Sequence, residues 1–186
     1  MAVAKAGTRR FLLKDGVGAE HVRQVAAQHW FFWNKINALD GQTLEYVWAT
    51  KPDECLIHLY EDRLVGLRYL VVEGPKRVDA FGVIARNLPV CDRFEIIALC
   101  NEAKTPDAAV RAARKLGVFA NAEFDVELFG CFGDLAEHRS AEVRLAAIVA
   151  MEYAGWKQFA GLLEPMVADD PNDEVRTQAA ALLARL

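Results

Sequence analysis

Four things are scarce or missing in this chain, and each absence narrows its chemistry. Cysteine is scarce: Cys55, Cys91, Cys100 and Cys131 are the only four, and no two have CxxC spacing. Each sits in an apolar run such as VCDRF or GCFGD, which reads as buried free thiols rather than a disulfide framework or a zinc site. Histidine is scarce too. His21, His29, His58 and His138 have no metal-ligand spacing, and His21 and His29 lie eight apart, about two helical turns. Long apolar runs are missing. Nothing approaches a membrane span, and the basic N-terminus MAVAKAGTRRFLLKDG has no apolar stretch of signal-peptide length. The expectation is a cytoplasmic chain with no membrane partner. Finally, there is no GxSxG, P-loop, HExxH or dinucleotide fingerprint, and GVG at 16–18 is a loop rather than a phosphate cradle. No catalytic residue, metal or cofactor is implied, and the reading leans away from an enzyme.

An excess of positive charge is also missing. The chain carries 22 Lys and Arg against 26 Asp and Glu, a net charge of -4. A uniformly basic nucleic-acid binder is disfavoured. The charge is uneven: residues 1–88 carry a net +2 and residues 89–186 a net -6. At 186 residues and 53% hydrophobic, the chain is one large domain or two small ones with enough apolar content for a core. The charge shift and the change of pattern at Pro89 place a boundary between 1–88 and 89–186.

The first part reads as α+β. Residues 1–9 are small and basic and read as loose. From Ala19 to Asn37, apolar residues recur at three- and four-residue steps, the period of a helix. NALDG supplies a stop, with a turn at Asp40-Gly41. The period then becomes two. TLEYVWAT (43–50), ECLIHLY (54–60) and LVGLRYLVV (64–72) alternate as strands, separated by KPD and EDR. The expectation is a small antiparallel three-stranded sheet, apolar on both faces and so covered on both sides at least in part. Gly74-Pro75 ends it, and KRVDAFGVIARNL (76–88) returns to a helical stripe.

From Pro89 onward the pattern is helical throughout. Thr105-Pro106 is a helix start, and Ser140 is a second cap. Pro165 breaks or ends the helix over 156–170. Val110-Arg111, Val143-Arg144 and Val175-Arg176 recur at spacings of 33 and 32, each after another amphipathic segment. Three helix–turn–helix units stacked this way make a short α-solenoid. The TPLHxA and WxxLGxxY signatures of other repeats with this period are absent. DDPNDEVRTQAAALL (169–183), RSAEVRLAAIVAM (139–151) and TPDAAVRAARKLG (105–117) resemble the short HEAT-like repeat of phycobilin lyases and bacterial scaffold proteins. The resemblance covers about residues 90–186 and implies a curved helical surface.

The candidate binding residues are Arg111, Arg144, Arg176, Glu152, Tyr153, Trp30 and Trp33. Equal register stacks the three arginines in a row. In the family such residues tie one repeat to the next through acidic and carbonyl groups, and a ligand-contacting row is the sharper alternative. Glu152 and Tyr153 lie late in the second Val-Arg helix, where they can face the inner surface. HWFFWNK (29–35) is the most unusual stretch, because four consecutive aromatics on a helix cannot share one face. They are either buried nearly all round or form a partner or self-association patch. Trp156 reads as a packing wedge.

These observations point to a non-enzymatic protein-binding scaffold or adaptor that presents the curved helical-repeat surface of 89–186 to a protein partner, with a possible homodimer formed through 30–33 or through the last helix. The resemblance also implies two alternatives, a bilin-lyase-like tetrapyrrole handler and a DNA-handling HEAT-like protein. The net -6 of the repeat half argues against the latter.

Overall fold

The computed structural model describes residues 8–37, 43–50, 54–75 and 77–186, with the backbone only at Asn37. Residues 1–7 of the expected loose tail 1–9 and the turns at Asp40-Gly41 and 51–53 lie outside the described residues, while Arg9, at the end of that tail, lies in a strand. The chain divides into two compact units, one ending at Cys91 and the other running Asp92–Leu186.

The first unit is a five-stranded antiparallel sheet with two helices. Strands β1 (Arg9–Leu12), β2 (Phe31–Asn37), β3 (Thr43–Ala49), β4 (Leu56–Asp62) and β5 (Leu67–Glu73) lie in the order β1-β5-β4-β3-β2. This corrects the expected three-stranded sheet, because β1 adds to β5 and β2 adds to β3. Helix α1 (Ala19–His29) is correspondingly shorter than the expected helix to Asn37. It stops at Trp30, whose backbone is extended at φ -135° and ψ 159°. Three of the four aromatics that no helix could bury on one stripe, Phe31, Phe32 and Trp33, enter a strand, where aromatic side chains pack well on a pleated surface.

Register explains the core. Tyr46 and Trp48 of β3, Ile57 and Leu59 of β4, and Leu70 and Val72 of β5 share one face. They pack with Val22 and Ala26 of α1 and with Ala80 and Ile84 of α2 (Arg77–Asn87). Leu12, Val47, Tyr69 and Val71 on the opposite face are buried as well. At the end of β5, Gly74 has φ +121°, and an added Cβ would lie 2.5 Å from the Glu54 carbonyl oxygen. Only glycine fits there.

The second unit is helical: α3 (Arg93–Glu102), α4 (Pro106–Phe119), α5 (Val126–Ala136), α6 (Ala141–Ala154), α7 (Ala160–Asp169) and α8 (Asp173–Leu183). Of the two expected caps, Thr105 caps with its side chain, while Ser140 sits at the N-cap of α6 without a side-chain hydrogen bond. Thr105 accepts a hydrogen bond from the Ala108 amide, and Asp92 and Glu95 form a reciprocal capping box. Pro165 lies inside α7, which runs through it to Asp169 instead of ending there. A short 3₁₀ turn (Lys157–Phe159) carries Trp156 and Phe159 into an aromatic cluster. Phe159 stacks on Trp156 at 5.3 Å and meets Phe132 edge-on at 4.7 Å. The Trp156 indole N–H donates to the Asn121 carbonyl at 2.7 Å, so its polar edge is satisfied.

Candidate protein interface on the edge of the sheet

Strand β2 is, with β1, one of the two outer strands of the sheet, and among the described residues its only strand partner is β3. An edge strand presents unpaired N–H and C=O groups, a ready template for another strand. Here that edge also carries the largest exposed apolar residues of the sheet. Phe31, Phe32, Trp33 and Ile36 are 68%, 62%, 66% and 44% exposed. Taking about 150–250 Å² for a whole aromatic side chain, the four leave roughly 500 Å² of apolar surface in water. The largest apolar patch on a typical monomer is about 300–600 Å² and is often functional.

The strand is not regular. Phe32 pairs with Trp48 and Asn34 with Val47, so one extra residue is inserted at Trp33. Such a bulge re-aims side chains and discourages pairing with an ordinary strand. On either side of it the faces are well defined. Phe31 and Ile36 oppose Ala49 and Glu45 and share one face. Phe32 and Lys35 oppose Trp48 and Tyr46 and share the other. On that second face Phe32 meets Trp48 edge-on at 6.3 Å, and the Lys35 ammonium lies 5.4 Å from the Tyr46 ring centroid. Lys35 is the one charged side chain of β2.

The other sequence candidates fall elsewhere. Trp30 is buried beneath α1, while Trp33, three residues on, is exposed. The arginine row is not equivalent along its length. Arg144 is buried and donates twice to Asp170, at 2.6 and 2.8 Å. Arg176 donates to the Asp170 carbonyl at 2.5 Å and pairs with Asp173. Arg111 is exposed, with no hydrogen bond or ion pair among the described residues. Glu152 pairs with Arg185 at 2.5 Å, and Tyr153 is buried. The seven candidates are split between the two units, Trp30 and Trp33 in the first and the other five in the second. An open groove of about 530 Å³ in the helical unit has Leu162, Pro165 and Met166 in its lining. Its buried charges, Arg144 and Asp170, are already engaged with each other.

No match is found for this chain among protein-family models, curated proteins or solved structures.

The last helix does not offer the apolar face that would suit self-association. Its exposed positions are Asp173, Glu174, Thr177, Gln178, Ala180 and Ala181, polar or small throughout. On the sheet, His58 bridges three strands. Its Nδ1 lies 2.5 Å from Glu45 and its Nε2 3.2 Å from Glu73. The hydrogen bond to His58 holds the Glu45 carboxyl below its usual range, and burial pushes the Tyr60 phenol above its own. The His58 side chain is 13% exposed, which makes this a cross-strand clamp rather than an open site. Burial also pushes the Cys55 thiol up to about 11, away from nucleophilic use. No helix among the described residues is long and apolar enough to cross a membrane, and no group of three or more metal-ligating side chains is present among them.

The signal for β2 was present in the sequence. Four adjacent aromatics suit a strand better than a helix. Its place at the edge is set by strand order, which no local pattern carries.

Proposed function

We propose that this chain is a non-enzymatic protein-binding module whose working surface is the free edge of β2. The observation that carries the proposal is the run Phe31, Phe32 and Trp33, each more than 60% exposed, on an edge strand with one strand partner among the described residues. Water-exposed aromatics in that number are costly unless something covers them. Main-chain pairing on a free edge, with aromatic anchors on both faces, is a known way to bind an extended protein segment. The helical unit, with its resemblance to short HEAT-like repeats, serves in this proposal as a scaffold.

The test is affinity capture with the tagged full chain and with its Phe31→Ser/Trp33→Ser form. Both positions are exposed, so the variant keeps the wild-type circular dichroism spectrum and melting curve. Recovery of the bound protein is expected to fall about tenfold or more, the usual consequence of removing anchor aromatics. Equal recovery by both forms contradicts the proposal.

A further inference from the structure

We infer that the segment which pairs with β2 is the β2 strand of a second copy of this chain, in one register. The inference rests on the reading of β2 as the working edge and adds the identity of its occupant.

The argument starts from the bulge. A regular strand laid against β2 meets two residues, Trp33 and Asn34, where it offers one. Identical strands related by a two-fold axis do not have this mismatch. With the axis passing between Trp33 and Asn34, each copy sets its own pair against the other's. Two-fold pairing of one edge with itself is antiparallel by symmetry and keeps each face of the sheet on its own side.

Side-chain chemistry agrees with that register. Phe31 falls opposite Ile36 of the second copy, and Phe32 opposite its Lys35. The register of β2 on β3 shows that each of these pairs shares a face, because Phe31 and Ile36 oppose Ala49 and Glu45 while Phe32 and Lys35 oppose Trp48 and Tyr46. Without the bulge, residues 31 and 36 would lie on opposite faces. Apolar thus meets apolar on one face, and an ammonium meets an aromatic ring on the other. The two lysines never face each other, so no like-charge pair opposes association. Covering roughly 500 Å² on each copy buries about 1,000 Å² in all, the lower bound for a specific interface. A dissociation constant on the order of 10 µM is the corresponding expectation for a small, exchanging dimer.

Sedimentation equilibrium of the full chain, with Phe31→Glu and Phe32→Glu, tests both partner and register. Wild type is expected to pass from monomer to dimer between about 1 and 200 µM, around that dissociation constant. Phe31→Glu sets a carboxylate against Ile36 twice and is expected to raise the dissociation constant about 30-fold or more. Phe32→Glu sets a carboxylate against Lys35 twice. It is expected to stay dimeric at low salt and dissociate at about 1 M salt, where screening is nearly complete. A circular dichroism spectrum like wild type checks folding of each variant. Wild type monomeric at every concentration overturns the inference, and so does equal loss of the dimer in both variants at low salt. If wild type is monomeric yet a captured protein is lost with Phe31→Glu, self-pairing falls while the edge stands as the working surface. If neither dimer nor edge-dependent capture is seen, both fall.

Discussion

Replacing Gly117 by alanine is expected to lower the stability of the helical unit by about 3 kcal/mol. In an open helix the same change is favourable by about 1 kcal/mol, because glycine has the greater backbone entropy to lose. The sign reverses here because α4 and α6 approach very closely at this residue. A Cβ on Gly117 would lie 2.5 Å from the Ala150 Cα, 2.8 Å from its Cβ and 2.8 Å from its carbonyl oxygen. Two of those atoms are backbone, so no rotamer change relieves the clash, and the helices must separate. Ala109, Ala113, Ala147 and Ala150 are also small and buried, and separation would open voids along the same pair of helices. Gly130→Ala is the control, because Gly130 is exposed inside α5 and an added Cβ there meets nothing within 4 Å, so the change is expected to be favourable. Urea unfolding of the two variants checks the prediction, and a stabilised Gly117→Ala would refute the close approach.

Removing either partner of the Arg144–Asp170 pair is expected to cost about 3–5 kcal/mol. Their side chains are 9% and 4% exposed. Arg144 also donates to the carbonyls of His138 and Arg139, at 2.8 and 3.2 Å, and Asp170 accepts from the Asn172 amide at 2.9 Å. Each single truncation leaves a buried charge without its hydrogen-bonded counter-charge and orphans backbone groups. Arg144→Met combined with Asp170→Leu removes both charges and is expected to cost less than the sum of the singles. Arg144→Lys does not restore the wild type, since an ammonium cannot make the paired contact of a guanidinium. The pH dependence follows from the same geometry. The hydrogen bonds from Arg144 hold the Asp170 carboxyl below its ordinary value. A carboxyl depressed on folding adds stability that is fully present above its unfolded pKa, about 3.9, and is lost as pH falls through its folded value. Asp170→Ala therefore flattens the acid limb of the stability curve as well as lowering its plateau.

How much of this was legible in the sequence differs between the two units. The helices α4 and α8 announce themselves through Thr105-Pro106, the Val-Arg register and regular apolar spacing, signals that are local and strong. Strands β3, β4 and β5 were readable because both faces of the sheet are set by simple alternation. Strand β1 has four residues, too few for a periodicity to register. Strand β2 was misread because Trp30 and Trp33 continue the helical spacing of Val22 and Ala26, and no glycine or proline separates His29 from Phe31. What decides the matter is pairing with β3, a contact distant in sequence. The candidate site was half legible for the same reason. The aromatic run stood out, but its exposure, its edge position and the bulge at Trp33 all depend on the order of strands. The arginine register was readable. That only Arg144 is buried against a carboxylate depends on where Asp170 ends α7.

Amide hydrogen exchange of the full chain, recorded at about 1 µM and again at about 200 µM, tests the central claim most directly. If β2 works as an open edge that takes a strand, the amides of Phe31–Asn37 that point away from β3 exchange fast when dilute and become protected when concentrated, while α4, α6 and α8 stay unchanged. Unchanged exchange across β2, with new protection confined to the helices, would contradict the account and place the working surface on the helical unit.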